Sequence, residues 1–512
     1  MTDKKDIAIV GAGPGGYVAA LRAAQLGKSV VLFEEDRVGG TCMNYGCIPT
    51  KSLLHQTKVF LEAAKSKILD GPLDRIACNW ARVQEEKTRV VDRLVRGVEL
   101  LLQRGGIDVV KGTALLRDDH SLVVRGANVE RLYEAGAVIL ASGSRSADLP
   151  FLKADGRMVV TSLEALSLEA VPKSLLVVGA GAIGLEMGTI FSRLGAAVQV
   201  LEILPQILPG SDRELAARLE ALLKRQGLKI QTQMKIEQGV TAEGRVTLKG
   251  VSLKSGQPFE FSAELVLLSA GRKPNSDRLF AGASFLPLAR GGFVEANARL
   301  ETAVPGIYAI GDLIGGKLLA HKASHEGLAA AANAAGAREA VHYEALPMAV
   351  FTEPEFASVG LTEEEARAQS DDVRTGIFSF QANGRALTLG SPEGLVKIVA
   401  GRQDRILGAH ILGPCASELV AELTLAMTKG LTVKDVASSI HVHPTLSEAV
   451  MEAGGFDYVK ANLKKVQVTR REAGGTRLYI LNLKEVMEGK EGEPFYLKPA
   501  DIVYVPEKFT WF

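Results

Sequence analysis

An α/β fold with two doubly wound nucleotide-binding units is what this 512-residue sequence predicts, and three observations carry the prediction. Two strand, glycine-turn, helix units begin near residues 7 and 175; the second strand of each ends in an acid, Glu34 and Glu202; and from about residue 346 the texture changes to strands mixed with a long helix. The full expectation is two Rossmann-like dinucleotide-binding domains, a separate α+β domain and a small C-terminal ββαβ extension.

In the first unit, residues 7–10 read as a short apolar strand, Gly11-Ala12-Gly13-Pro14-Gly15-Gly16 as the turn, and residues 17–26 as a helix. Glycines there permit a tight turn, close approach to a pyrophosphate and close helix packing, while the helix N-terminus offers free N–H groups and a positive dipole end. A second strand, residues 29–33, leads into Glu34, whose carboxylate suits a ribose diol. The second unit repeats the device with residues 175–178, then Gly179-Ala180-Gly181-Ala182-Ile183-Gly184, a helix over 185–194 and a strand ending at Glu202. Glu202 follows Gly179 at the same interval at which Glu34 follows Gly11, so two dinucleotides are expected. An acid at Glu202, followed by Ile203 and Leu204 rather than arginines, favours NAD over the 2′-phosphate of NADP.

Further on, residues 265–268 read as a buried strand entering Ala270-Gly271-Arg272-Lys273-Pro274-Asn275, and residues 307–310 enter Gly311-Asp312. The α+β stretch shows strands over 349–352, 357–359 and 395–399, and a helix over 416–429. The formal net charge of +1 comes from interspersed acids and bases, which disfavours nucleic acid and anionic membranes as partners. The first residues lack a signal-peptide core and no apolar run is long enough to span a bilayer, so a cytoplasmic protein is expected.

Only four cysteines occur, and two of them stand in Cys42-Met43-Asn44-Tyr45-Gly46-Cys47, just past the first unit and ahead of Pro49-Thr50-Lys51. On spacing alone this segment is open to redox chemistry, metal binding or inert packing; the adjacent dinucleotide unit points to redox. Lys51 supplies a cation that lowers a neighbouring thiol's pKa.

With both units and the thiol pair placed, residues 6–455 resemble the two-dinucleotide-domain flavoprotein disulfide reductases, in particular the branch that acts on dihydrolipoyl thiols. Gly39-Gly40-Thr41 through Lys51 is similar to the family's redox helix, and Gly311-Asp312 with Leu318-Leu319-Ala320-His321 to its second flavin-contacting segment. The resemblance implies FAD in the first unit, at Gly11, Gly13, Gly15, Gly16, Glu34, Thr41, Lys51, Ala114, Ser142, Gly143, Ser144, Asp312, Leu318, Leu319, Ala320 and His321. It implies NAD in the second, at Gly179, Gly181, Ile183, Gly184, Glu186, Glu202 and Gly271. It divides the chain into an FAD-binding domain in two parts (1–146 and 276–345), an NAD-binding domain (147–275), a dimerisation domain (346–456) and the extension (457–512).

By the same resemblance Cys47 is the flavin-side thiol, Cys42 exchanges with substrate, and Lys51 pairs with Glu186. His443-Pro444-Thr445-Leu446-Ser447-Glu448 resembles the family's acid/base segment, with His443 taking the proton and Glu448 holding its ring. The family supplies this histidine from the opposite subunit, so a homodimer is implied. The implied reaction is dihydrolipoamide to lipoamide through the Cys42/Cys47 disulfide and FAD, with hydride passed to NAD; the substrate is free or borne on a lipoyl protein of a 2-oxoacid dehydrogenase or glycine cleavage system. Two other readings stay open: an NAD(P)H-dependent reductase of another disulfide, which would prefer basic residues at 202–204, and a flavoprotein scaffold whose C-terminal extension binds a ligand or partner. A mercuric reductase would carry a thiol pair near its C-terminus, whereas Cys78 and Cys415 are isolated.

No metal is expected, because neither His441 with His443 nor His321 with His325 brings a third ligand. His325 is a departure, since relatives more often carry an acid there. Residues from about 466 onward are extra to the family. Strands are expected over 466–469, 476–481 and 502–505, with a hairpin at Gly474-Gly475 and a helix over 483–488. This extension resembles the soluble ligand-binding β-grasp modules of polysaccharide-export proteins, with Ala500 standing where those carry glycine.

Overall fold

The computed structural model describes residues 3–64, 66, 68–69, 76–118, 120–126, 130–455, 465–472, 475–483, 485, 495 and 502–504. The chain forms two compact units, Met1–Pro209 with Leu223–Tyr343, and Gly210–Leu222 with Glu344–Phe512. Among the described residues no helix is long and apolar enough to cross a membrane.

Two sheets, one mixed and one parallel, organise the first unit. In one, strands Asp108–Lys111, Val30–Glu34, Asp3–Val10 and Glu130–Leu140 lie side by side, continued by Ser121–Arg125 and Thr113–Leu116, and Ile307–Ala309 adds in parallel to Glu130–Leu140. In strand Asp3–Val10 the last four residues, Ile7 to Val10, are apolar at successive positions because both faces are covered there. Ile7 and Ile9 pack with Leu32, Ile139 and the helix alanines Ala19 and Ala330, whereas Ala8 and Val10 pack with Phe33, Leu140 and Leu313. In the other sheet the order is Lys229–Gln231, Ala197–Leu201, Ser174–Val178, Leu265–Leu268, Val159–Val160, all parallel. An antiparallel meander, Met234–Ala242, Arg245–Ser252 and Pro258–Ala263, is inserted between its strands Lys229–Gln231 and Leu265–Leu268.

The first crossover helix runs over Pro14–Gln25, three residues earlier than the sequence pattern suggests. Pro14 stands in its first turn, where a missing N–H costs nothing and the fixed φ already suits a helix. This helix packs on Ala320–Ala334 through two glycines. A Cβ at Gly327 would stand 2.4 Å from the Gly15 carbonyl oxygen, so the backbones meet where no side chain fits.

The second unit is built on an antiparallel sheet in the order Met348–Val350, Glu355–Gly360, Ile406–Gly413, Leu395–Ala400, Arg374–Ser379. Phe378, Val396, Ile398 and Ile411 pack on Val420 and Leu423 of helix Ala416–Thr428 and on Val450 of helix Glu448–Gly455. Gly210–Leu222 joins this unit through Lys397, whose buried ammonium bonds Asp212 at 2.9 Å and Glu363 at 2.7 Å, the pairing a buried charge requires. At the C-terminus, Gly475–Leu481, Val466–Glu472 and Ile502–Tyr504 form a three-stranded antiparallel sheet with the middle strand central. The expected helix over 483–488 and the position of Ala500 lie mainly outside the described residues, as do residue 505 and Gly474 of the expected hairpin.

The Gly327 contact gives opposite signs to two effects. Helix propensity alone favours Gly327→Ala by roughly 0.5–1 kcal/mol, but overpacking against Gly15 costs about 1–3 kcal/mol. A lower urea midpoint is therefore expected for Gly327→Ala, and an equal or higher midpoint contradicts the close helix approach.

Candidate active site

The two glycine turns are geometrically alike. Gly11 (φ +96°) and Gly179 (φ +102°) lie in the left-handed region, where an added Cβ would stand 2.5 Å from Ala141 O and 2.6 Å from Ser269 O. Gly16 and Gly184 each back onto the carbonyl of that first glycine, whereas a Cβ added at Gly13 or Gly181 would touch nothing within 4 Å. The middle glycine therefore leaves its backbone approachable by a phosphate, ahead of the helix N-termini at Pro14 and Ala182. Ile183 sits in the first turn of the second helix.

The acids are held alike as well. Glu34 accepts the N–H of Ala12 and of Asp36, both at 2.8 Å. Glu202 accepts those of Ala180 at 2.7 Å and Leu204 at 2.9 Å. Each carboxylate is thus oriented by its own turn with acceptor capacity left for a ribose diol. Burial pushes the Glu34 carboxyl above its usual range, with the two backbone bonds opposing it.

Further features of the first cradle suit a flavin dinucleotide. Among the described residues the buried Ser142 hydroxyl has no hydrogen-bond partner, and Gly143 beside it has φ +68°. Ser144 donates to Asp312 at 2.5 Å, and Arg272 donates to both the Ser144 hydroxyl (2.7 Å) and its carbonyl (2.6 Å). Leu318 and Leu319 precede helix Ala320–Ala334, whose first N–H groups, His321 included, face out of the helix end. Ala114 is buried in strand Thr113–Leu116, Thr41 is exposed, and Gly271 (φ +116°) again has nothing near its Cβ position. The residues present fit FAD at the first glycine turn and a second dinucleotide at the other.

Cys42 lies in the short helix Gly40–Tyr45 and Cys47 opens the helix Cys47–Ala64, with Gly46 between them. This segment is fastened to the first glycine turn: Gly39 N–H donates to Ala12 O at 2.8 Å, and a Cβ at Gly40 would stand 2.7 Å from Gly13 Cα. Asn44 adds donations to Val38 O and Gly40 O, each at 3.0 Å. Both thiols are free. Cys47 is brought down from 9.0 to about 7, first by the hydrogen bond from the Cys42 thiol and then by the Lys51 ammonium, against burial and Glu186. Cys42 moves up, because it is the donor to that thiolate and is desolvated. The pair is therefore asymmetric, one thiolate and one thiol. Lys51 reaches both oxygens of the buried Glu186 at 2.9 and 2.7 Å, and Arg193 donates to Leu54 O at 2.9 Å, so the redox helix is tied twice to helix Ala182–Arg193 of the second glycine turn.

In the second unit, His443 Nδ1 pairs with Glu448 Oε1 at 2.8 Å, and Glu448 Oε2 accepts the Thr445 N–H at 2.7 Å. These bonds pull the Glu448 carboxyl below its ordinary range, Thr445 contributing most. The His443 side chain is 80% exposed, and among the described residues its Nε2 has no hydrogen-bond partner. A ring with one nitrogen anchored on a carboxylate and the other turned outward is built to take a proton. His441 is held separately, by Glu422 and the Ser439 carbonyl.

Sequence reasoning missed Arg272 and the buried Lys322 and Glu326. Arg272 stood in a strand-to-turn segment already singled out, and a guanidinium placed where a buried strand ends was the available signal. Nothing in the sequence marked Lys322 and Glu326 beyond their i,i+4 spacing.

Two dinucleotide cradles and an asymmetric dithiol on one frame define a nucleotide-dependent thiol oxidoreductase. The chain belongs to the pyridine nucleotide-disulphide oxidoreductase family: the model of that description matches residues 5–327, and that of the family's dimerisation domain matches residues 346–454. An SLBB domain model matches residues 436–505. The dihydrolipoyl dehydrogenase of Geobacillus stearothermophilus is 41% identical over 87% of this chain and 94% of its own length. That of Thermus scotoductus is 42% identical over 88% and 96%. Among solved structures, the Cu(II) complex of the HOCl-induced flavoprotein disulfide reductase RclA from Escherichia coli aligns with TM-score 0.79 and 25% identity, over 88% of this chain and 99% of that one.

In the reduced protein, ultraviolet thiolate absorbance should grow with pH through a midpoint of about 7, the depressed value of Cys47. Cys47→Ser should abolish this transition, and Cys42→Ala should move it upward by removing the donor to the thiolate. A transition that survives Cys47→Ser reverses the assignment.

Proposed function

We propose that this enzyme oxidises dihydrolipoyl thiols to the cyclic disulfide and passes hydride to NAD, through the Cys42/Cys47 pair and FAD. The observation that carries the reading is the Cys42/Cys47 pair, on a segment fastened to the first glycine turn and tied through Lys51 to the helix of the second. The substrate class is supported by the dihydrolipoyl dehydrogenases that match along nearly their whole length.

The catalytic cycle starts from the Cys42–Cys47 disulfide. His443 Nε2 takes the proton of one substrate thiol, and that sulfur attacks Cys42 Sγ; the Cys42–Cys47 bond breaks and Cys47 leaves as a thiolate, which Lys51 stabilises. The second substrate thiol attacks the first substrate sulfur, forming the cyclic disulfide and releasing Cys42, whose sulfur takes the second proton while His443 keeps the first. Substrate has lost two electrons and two protons, and the dithiol has gained the electrons. FAD, which the first glycine turn, Glu34 and Asp312 would hold, would supply the two-electron acceptor for the dithiol and the hydride donor for NAD. Glu448 holds the His443 ring throughout and offsets the charge it acquires.

His443 of one subunit is assigned to the thiols of the other, a reading supported by the matched dimerisation domain and by the outward Nε2. The lipoyl group is then presented free or on a protein of a 2-oxoacid dehydrogenase or glycine cleavage system. Residues 1–146 with 276–345, 147–275, 346–456 and 457–512 are read as FAD-binding, NAD-binding, dimerisation and extension, and the enzyme as cytoplasmic. A second reading, reduction of another disulfide at the expense of NADH, is favoured by the likeness to the Escherichia coli reductase. It uses the same residues in reverse.

Anaerobic mixing of holoenzyme with dihydrolipoamide and NAD tests the proposal. NADH should form, with kcat/KM for NADP lower by at least about a hundredfold because its phosphate would face the Glu202 carboxylate. His443→Gln should slow thiol exchange by roughly two to four orders of magnitude with FAD retained. No NADH from dihydrolipoamide, together with rapid NADH-driven reduction of a different disulfide, selects the second reading.

A further inference from the structure

Buried behind Asp312 is a knot of charged and polar groups that the reaction above does not use. Glu326 is fully buried on helix Ala320–Ala334, and its two oxygens meet three donors. Oε2 accepts the Gly311 N–H at 2.6 Å, while Oε1 accepts the Lys322 ammonium at 2.8 Å and the Tyr343 hydroxyl at 2.7 Å. Lys322, 5% exposed, also donates to the Gly311 carbonyl at 3.2 Å. One ion pair thus grips both the N–H and the C=O of a single residue, Gly311, which lies in the left-handed region at φ +72°. Burial and the Glu326 contact together push the Tyr343 hydroxyl well above its ordinary pKa, so it remains a donor.

Burying a lysine and a glutamate costs several kcal/mol per ion before their attraction is counted, and an apolar pair of similar volume commonly does as well for stability. Stability alone therefore gives a weak account of the pair. What an apolar pair cannot do is hold a residue by the polar groups of both peptides that flank it. The next residue is Asp312, which accepts from Ser144 at 2.5 Å and stands 3.8 Å from Arg272 Nε.

We propose that Lys322 and Glu326 are positioning residues for the flavin: clamping Gly311 by its N–H and C=O, they fix the Asp312 carboxylate where it meets bound FAD. This rests on the FAD assignment of the first unit made under the proposed function, and not on which disulfide is the substrate. The ion pair touches no substrate. Its effect travels through one peptide group to Asp312.

The experiment compares release of FAD from wild-type holoenzyme, Lys322→Met/Glu326→Leu and Glu326→Gln, followed by the rise of flavin fluorescence without substrate, alongside thermal melting of each protein. In the double variant both buried charges are gone, so melting should stay within a few degrees of wild type while FAD release quickens by at least about tenfold, since Gly311 loses two hydrogen bonds, both to charged groups. If that variant does not fold, Glu326→Gln carries the test: it keeps the volume but offers one carbonyl oxygen to three donors, and release should quicken by at least about threefold. FAD release within twofold of wild type in a folded variant overturns the proposal, as does a loss of FAD that only parallels a fall in melting temperature. Turnover of dihydrolipoamide by wild-type holoenzyme, measured in parallel, reports on the substrate reading alone; a failure there leaves the FAD-release result standing.

Discussion

The ion pair between Lys51 and Glu186 is the contact on which the chemistry of this fold depends. Glu186 sits mid-helix in the second nucleotide-binding region with only 5% of its side chain exposed, and Lys51 meets both of its oxygens from the redox helix. Removing one partner of a buried pair costs about 3–5 kcal/mol, and Lys51's partial exposure places this pair toward or below the lower end of that range. Its greater effect is electrostatic. The ammonium lowers the Cys47 pKa and the carboxylate raises it, so the pair sets how much of the lysine's field the thiol feels. The same contact ties the helix bearing the thiols to the helix that begins at the second glycine turn, so one interaction sets both a geometry and a charge.

Those features of the fold that arise within a few residues were legible in the sequence. Gly11 to Gly16 and Gly179 to Gly184 fold as the same turn because each glycine answers a local demand, and Glu34 and Glu202 reach back to the turn amides of Ala12 and Ala180. His443 and Glu448 are five residues apart, close enough for one loop to bring them together. The start of the first helix at Pro14 was missed because the glycine run was read as turn throughout, although proline suits a first helical turn.

What stayed hidden depends on long-range packing. Strand Ile406–Gly413 is the middle strand of its sheet, and helix Trp80–Arg104 is the longest described helix, yet neither was anticipated. The clamp on Gly311 needs Lys322, Glu326 and Tyr343 to converge, and a buried lysine looks in sequence like any other lysine. Arg272 acquires its role only once strand Arg272–Pro274 pairs with Ser144–Ser146. The C-terminal extension shows both sides. Its three strands follow alternation and turn signals, whereas the SLBB match from residue 436 overlaps Val436, Ala449 and Val450, which pack into the core of the preceding α+β sheet. The extension therefore begins structurally later than the sequence match does.

A double-mutant cycle on Lys51 and Glu186, read as the pH midpoint of the Cys47 thiolate in reduced protein, tests the central claim most directly. Lys51→Met should raise the midpoint above about 7 and Glu186→Gln should lower it. The double variant should fall short of the Lys51→Met value, because the buried carboxylate left by that single change no longer opposes the thiolate. Midpoints that stay together in all four proteins would contradict the account, leaving the pair a mere structural tie.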